Sequence, residues 1–449
     1  MGRLFGTDGA RGVANTELTA ELAMNIGRAA AMVLVNDEVK HPTILIGKDT
    51  RLSGDMLEGA LIAGLCSVGA NVKLLGVVPT PAVAYLVKKY NADAGVMISA
   101  SHNPFEFNGI KIFSSEGYKL PDDLENRIEE IVLDHAVPYA TANDGEIGRV
   151  AALDSAVDDY INHVAEAVGE DLSGMEIALD CSNGSSSRTA EKLFTKLGVK
   201  VHMLFDEPDG ININKDCGST HTKKLQEYVR KNKLSAGLAF DGDADRCLAV
   251  DENGNLVDGD FLIAICANDM MKNGKLKKNT AVGTVMTNMG FSKFCEANGI
   301  DFVSTKVGDR YVLESMLQNG YNIGGEQSGH IIFLDHSTTG DGELSGAMLL
   351  SIMKRTGEKL SDLAKIMERY PQVLINVKVS NEGKLSFYTD KEVKAEINRV
   401  TEILGDTGRI LVRVSGTEPL VRVMLEGENL EQIQTLAEEA AQVVRERLA

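Results

Sequence analysis

Short apolar runs alternate with amphipathic stretches along most of the chain, and the alternation predicts strands and helices in turn. Residues 43–47 (Thr-Ile-Leu-Ile-Gly) read as a buried strand and 55–68 as a helix. A strand over 71–77, a helix over 81–90 and a strand over 95–98 complete a first set. The pattern recurs at 176–180, 188–197, 199–204, 225–231 and 236–240. It recurs again at 281–286, from 290 onward, and at 301–304, 310–317 and 321–324. Such alternation implies α/β layering. In each set the last strand runs into a polar loop: Ser99-Ala-Ser-His-Asn-Pro104, Asp241-Gly-Asp-Ala-Asp-Arg246 and Gly325-Glu-Gln-Ser-Gly-His330. Residue identity between the sets is weak, so the repeat is one of architecture. Ligands gather beyond the carboxyl ends of strands in open α/β sheets, and the three loops are expected to face one shared cleft.

The end of the chain departs from this pattern. Residues 409–414 and 420–425 read as strands joined by Ser415-Gly-Thr-Glu-Pro419, and 430–448 as a helix with apolar residues at 430, 433, 436, 440, 444 and 448. The predicted fold class is α/β: three topologically similar α/β domains with mixed sheets, then a smaller C-terminal α+β domain. Loop-like stretches such as Thr141-Ala-Asn-Asp-Gly145 and Asp251-Glu-Asn-Gly254 suggest domains at 1–150, 151–255, 256–370 and 371–449.

At 449 residues the chain is too long for one ordinary core, which agrees with several domains. A formal charge of −19 opposes nucleic acid or an anionic membrane as partner. A small anionic substrate is compatible with it only where Arg and Lys converge. The six cysteines (66, 181, 217, 247, 266 and 295) have no Cys-x-x-Cys spacing and read as reduced, mostly structural thiols. The first residues lack the apolar stretch of a signal peptide, and no apolar run is long enough to span a bilayer. A soluble, cytoplasmic protein is expected.

Candidate chemistry starts with Asp241, Asp243 and Asp245. Alternate positions in an extended segment turn three carboxylates to one side, which suits a hard cation with oxygen ligands. A calcium EF-hand is excluded because Arg246 stands where that loop needs Gly, and the flanks are strand-like. A solvated acidic turn is the plainer reading, but a buried strand delivers the triplet and Arg246 follows it. Mg²⁺, which completes its shell with water or phosphate oxygen, is therefore favoured, and a phosphate partner is expected.

Ser101 could carry that phosphate, since a serine can hold a phosphoryl group covalently where a metal and cations stabilise the charge. Its loop holds Ser99, His102 and Asn103, and Pro104 stops any helix. Asn108-Gly109 signals a hairpin that would fold Lys111 back toward the loop. Taken alone, a loop serine is more often a turn residue. The segment Arg413-Val-Ser-Gly-Thr-Glu-Pro-Leu-Val-Arg422 combines two Arg, the hydroxyls of Ser415 and Thr417, and the opened backbone of Gly416, a composition suited to an anion nest. It also reads as a charged hairpin tip. Lys306 and Arg310 add positive charge around the Gly308-Asp309 turn. Glu326 and Ser328 have the hydrogen-bonding repertoire that sugar hydroxyls require, and His330 is either an acid/base or a satisfied polar residue. Neither a Walker A pattern nor a strand-linked Gly-x-Gly-x-x-Gly occurs, which disfavours direct nucleotide binding.

Together these segments resemble the α-D-phosphohexomutase family, from Phe5-Gly-Thr-Asp-Gly-Ala-Arg-Gly12 to Ser415-Gly-Thr-Glu-Pro-Leu-Val-Arg422. Within it, the Ser99–Pro104 and Gly325–His330 loops are most similar to those of members that act on glucosamine phosphates. The resemblance implies four domains around a central cleft, a phosphoserine at Ser101, and Mg²⁺ held by Ser101, Asp241, Asp243 and Asp245. It implies a sugar-contacting loop at 325–330 and a phosphate-binding loop at 413–422, with Arg246 and Gly308 on the substrate side. It sets Arg11, His102 and Lys111 around the phosphoserine, and Lys306 and His330 as candidate acid/base groups.

The implied reaction interconverts glucosamine 6-phosphate and glucosamine 1-phosphate through a bound 1,6-bisphosphate and feeds UDP-N-acetylglucosamine synthesis. A hexosamine or glucose 1,6-bisphosphate would be the activator, and the partner a small-molecule sugar phosphate. Homo-oligomer formation, and whether a kinase or autophosphorylation charges Ser101, are left open. The alternatives are a phosphomannomutase/phosphoglucomutase, a metal-dependent sugar phosphatase, and a silent sugar-phosphate sensor.

Overall fold

All five residues of Ala94–Ile98 are buried, as befits a strand covered on both faces. In the computed structural model, which describes residues 2–6, 8–34, 41–415 and 419–449, this strand is the middle of a seven-stranded sheet. Thr43–Lys48, Asn71–Val77 and Val150–Ala152 extend the sheet in parallel on one side. On the other side Phe107–Ser114 runs antiparallel to it, followed by Gly9–Val13. Helices Ala20–Leu34, Gly54–Ser67 and Asp122–Asp134 bury Ile26, Leu61, Leu65 and Ile128 against Ile44, Val96 and Ile98. Each such side chain contributes about 1.5–3 kcal/mol by leaving water.

The second sheet repeats the plan. Ala236–Phe240 lies parallel to Glu176–Asp180, which pairs in parallel with Lys200–Leu204. Cys247–Val250 runs antiparallel to 236–240, and Leu256–Val257 follows it, so Asp251–Gly254 is a turn within this sheet. In the third sheet Thr280–Thr284 is parallel to Ile323–Gly325, and Ile331–Phe333 returns antiparallel. Each predicted loop is therefore one joint repeated: it leaves the end of a parallel strand and turns the chain back into an antiparallel one.

Residues 1–284 and 305–366 form one compact unit, and 285–304 with 367–449 form the other. In the second unit Gln372–Lys378, Leu420–Gly427 and Gly408–Val414 make an antiparallel sheet. Helices Lys391–Leu404 and Leu430–Leu448 cover it with Val400, Ile433, Leu436 and Val444. Leu430, expected on the buried face, is 51% exposed because it opens the helix. Glu426, fully buried, accepts from Met289 N–H, Asn288 Nδ2 and Arg409 Nε, which ties helix Met289–Asn298 to the sheet. No helix among the described residues is long and apolar enough to cross a membrane.

Asn108-Gly109 corrects the sequence reading. These residues lie inside Phe107–Ser114, opposite Gly12 and Arg11, and form no turn. The glycine answers a close approach instead, since a Cβ there would stand 2.5 Å from the Ser99 carbonyl oxygen.

Candidate active site

The loop after Ala94–Ile98 carries a buried serine. Ser101 has φ 52°, a left-handed backbone that costs a residue with a Cβ about 1–3 kcal/mol and recurs at functional sites. Its Oγ donates to Asp241 Oδ2 at 2.6 Å and lies 3.3 Å from His102 Nδ1. Asp241 opens the loop after Ala236–Phe240, so two sheets bring their carboxyl ends to one point.

Asp241, Asp243 and Asp245 each present an oxygen within 4.8 Å of the others, and all three are buried. Burial, then the charges of Asp245 and Asp243, push the Asp241 carboxyl well above the usual range. Burial also pushes Asp243 up, but the Lys111 ammonium and hydrogen bonds from Lys111 and Thr80 outweigh it and hold the group below that range. Thr80, at the start of helix Thr80–Lys89, donates its hydroxyl to Asp243 Oδ2 at 2.6 Å. The Oδ1 atoms of Asp243 and Asp245 are buried and have no hydrogen-bond partner. Crowded carboxylates with unused oxygens fit a hard divalent cation.

Lys111 brings the compensating charge. Its ammonium, on strand Phe107–Ser114, is 2.7 Å from Asp243 Oδ2, 3.0 Å from Asp8 Oδ2 and 3.5 Å from Asp245 Oδ2. Asp8 also pairs with Arg11 and, at 2.5 Å, with Lys119, whose ammonium meets Asp309 Oδ2 at 2.5 Å. His330, buried at the end of the third loop, has Nε2 3.6 Å from Asp309 and 3.9 Å from Asp245. Lys111, Asp8, Lys119, Asp309 and Asp245 thus alternate ammonium and carboxylate, and the His330 ring stands between Asp309 and Asp245. Burial, reinforced by the nearby Arg246 and Arg11, lowers His102 to about 4, so its ring is neutral at physiological pH.

The other expected residues fall at different distances from this cluster. Arg246 donates its N–H to Asp241 Oδ1 at 3.2 Å, and its Nε is 3.8 Å from Asp245 Oδ1. Gly308, at φ 127°, donates its N–H to Glu326 Oε1 at 3.0 Å. Ser328 is half-buried on the turn leading to His330. Lys306 is exposed, with its ammonium 5.6 Å from the Tyr311 ring centroid.

In the second unit Arg413 and Arg422 stand directly opposite each other across the hairpin. Burial, then the Arg422 charge, lowers the Arg413 guanidinium. Like charges so placed repel, and an anion would relieve them. Ser415, buried beside them, donates its N–H to Leu420 O at 2.8 Å. Gly416 and Thr417 lie outside the described residues.

Sequence reasoning missed Asp8, Lys119, Thr80, Asp49, Arg51 and Asn214, and it named Asp309 only as half of a turn. Asp49 and Arg51 had a usable signal: they follow strand Thr43–Lys48, at the same sheet end as Ser101.

Sequence models of phosphoglucomutase/phosphomannomutase match four successive stretches. Alpha/beta/alpha domain I matches residues 2–136, domain II 158–254, domain III 258–370 and the C-terminal domain 374–443. A protein from Acetivibrio thermocellus named phosphoglucosamine mutase is 56% identical over 448 residues, covering 100% of both chains. A phosphoglucomutase/phosphomannomutase family protein from Burkholderia thailandensis superposes with TM-score 0.82 at 23% identity, covering 99% of this chain and 98% of its own. Aspergillus fumigatus N-acetylphosphoglucosamine mutase, solved with GlcNAc-6P and magnesium, superposes with TM-score 0.71 at 18% identity, over 99% and 96% of the two chains. At these identities the two structures share the fold.

Proposed function

The chain belongs to the phosphoglucomutase/phosphomannomutase family, the α-D-phosphohexomutases, and we propose from this that it interconverts glucosamine 6-phosphate and glucosamine 1-phosphate. The observation that carries the mechanism is Ser101, held in a left-handed conformation with its Oγ 2.6 Å from the carboxylate cluster. Resemblance to relatives that act on glucosamine phosphate supports the choice of sugar.

Phospho-Ser101 gives its phosphoryl group to the free hydroxyl of the bound sugar phosphate. The P–O bond to Ser101 breaks, a P–O bond to the sugar forms, and the serine oxygen recovers a proton. The resulting 1,6-bisphosphate reverses its orientation, and its other phosphoryl group returns to Ser101. Positioning and charge neutralisation supply most of the catalysis in such transfers.

Free Ser101 donates a hydrogen bond to Asp241, which a phosphorylated oxygen cannot do, so a phosphoryl group would meet the carboxylates without that bond. Asp241, Asp243, Asp245 and a Ser101 phosphate oxygen would hold Mg²⁺, which supplies charge neutralisation at the phosphoryl group when bound. Lys111 and Arg11 add fixed positive charge beside it. His330, buried between Asp245 and Asp309, is the preferred acid/base for the sugar hydroxyl, with Lys306 as the second candidate. Glu326, Ser328, Arg246 and Gly308 contact the sugar, while Arg413, Ser415, Gly416, Thr417 and Arg422 bind the phosphate that is not reacting. Charging of Ser101 by a hexosamine or glucose 1,6-bisphosphate, a cytoplasmic setting and domain edges near 150, 255 and 370 belong to the same reading.

Isomerised product and inorganic phosphate measured together test it. Glucosamine 1-phosphate should dominate, and Ser101→Ala should lose both turnover and the phosphate mass on the intact protein. Release of mainly inorganic phosphate would make the protein a phosphatase.

A further inference from the structure

Ser101 is fixed from behind by residues with no place in the reaction above. The Arg51 guanidinium is buried against Asp49, with Nε 2.8 Å from Asp49 Oδ2. It donates to three carbonyl oxygens of the serine loop, Ser101 at 2.8 Å, Asn103 at 2.9 Å and Pro104 at 2.5 Å, and to that of Phe107, which opens the next strand, at 3.0 Å. Asn214, from the second α/β region, donates Nδ2 to Ser101 O at 2.9 Å and to Asn103 O at 3.0 Å. The other face of the Ser101 peptide is held as well. Ser101 N–H donates to Ser99 Oγ at 2.9 Å, and Ser99 Oγ donates to the same Asp49 oxygen at 2.6 Å.

Asp49 and Arg51 therefore hold both the N–H and the C=O of a residue whose own backbone preference opposes its conformation. Lysine cannot replace Arg51 here, because only the planar fork reaches several carbonyls in one plane. Leu52 N–H also donates to Gly210 O at 2.9 Å, and Thr50 Oγ1 to Asn183 O at 2.6 Å, so the clamp is joined to the region that carries the carboxylates.

We propose that Arg51, with Asp49 and Asn214, is a positioning device that holds the Ser101 backbone so that Oγ occupies one point in both half-reactions. The inference rests on Ser101 being the phosphoryl carrier. A mutase uses the same oxygen first as leaving group and then as acceptor while the sugar turns over between the two events. A loop free to relax in that interval would lose the alignment that phosphoryl transfer requires.

The test uses Arg51→Lys and Asn214→Ala in the full-length protein with Mg²⁺, with Ser101→Ala alongside. Arg51→Lys should lower kcat about 100-fold, the loss expected of an ångström-scale misplacement, while KM for glucosamine 6-phosphate stays unchanged. Single-turnover transfer from phospho-Ser101 to sugar should slow by the same factor. Asn214→Ala removes two of the loop bonds and no charge, and should give a smaller loss of the same kind. Should Arg51→Lys not fold, as read by its melting temperature, Asn214→Ala decides alone. Folded variants with parental kcat and parental single-turnover rate overturn the clamp, as does a change confined to KM. Ser101→Ala with full turnover would instead remove the covalent reading itself, which separates the two failures.

Discussion

Replacing Lys111 with Met removes the cation on which the carboxylate cluster depends. The ammonium lies 2.7, 3.0 and 3.5 Å from Asp243, Asp8 and Asp245. At an effective dielectric constant near 20, each contact is an attraction of about 5–6 kcal/mol. Desolvation of the ammonium and repulsion by Arg11 oppose that sum, and the attraction prevails. The net cost of removing one partner from a buried ion pair is about 3–5 kcal/mol. At the usual unfolding entropy per residue, for a unit of this length, the melting temperature should fall by about 4–7 °C.

Calorimetry in chelator reads the loss directly. Mg²⁺ then discriminates, because the variant keeps Asp241, Asp243 and Asp245. A ligand at a hundred times its Kd adds about 2.7 kcal/mol, and the variant should gain more from Mg²⁺ than the parent does. A variant that melts with the parent in chelator, or gains no more from Mg²⁺, refutes the role given to Lys111.

Asp341 accepts from Tyr160 and caps helix Gly342–Thr356, and burial lifts its carboxyl from 3.8 to about 6. A carboxyl raised on folding stabilises most below its unfolded value and loses that contribution as pH rises through the folded one. Asp341→Asn should therefore match the parent near pH 4 and exceed it by about 3 kcal/mol above pH 6; a difference independent of pH would contradict the assignment. Arg413→Ala should raise KM about 10–100-fold, the worth of a charge-assisted hydrogen bond, without lowering the melting temperature. An unchanged KM would remove this hairpin from the phosphate site. Gly242→Ala would set a Cβ 2.5 Å from Ser101 O. That overpacking should cost about 1–3 kcal/mol and reduce kcat more than it raises KM, whereas a silent substitution would mean the loop yields freely.

The three loops that carry Ser101, the aspartates and His330 were legible because each follows a run of buried residues and breaks it with Gly, Pro or charge. The strands were legible for the same reason, with Thr43–Lys48 one residue longer than its pattern. What the sequence concealed was pairing. Lys119 belongs to none of the motifs, yet it bridges Asp8 and Asp309, which lie more than a hundred residues away on either side. The place of Arg51 at the sheet end could be read, but its partners could not, since four of its five acceptors are backbone carbonyls and leave no mark in side-chain identity. Asn108-Gly109 misled because a glycine demanded by close packing looks the same as one demanded by a turn.

Glu426 also bears on how the chain is made. The chain passes between its two units after Thr284, after Ser304 and after Ile366. Residues 285–304 emerge from the ribosome well before the strand that carries Glu426, the acceptor for Met289 N–H and Asn288. The chain must therefore be made as far as strand Leu420–Gly427 before helix Met289–Asn298 gains that partner. A protein truncated at 366 would lack the Glu426 carboxylate that receives Met289 N–H and Asn288 Nδ2, and would present an unfinished unit to chaperones.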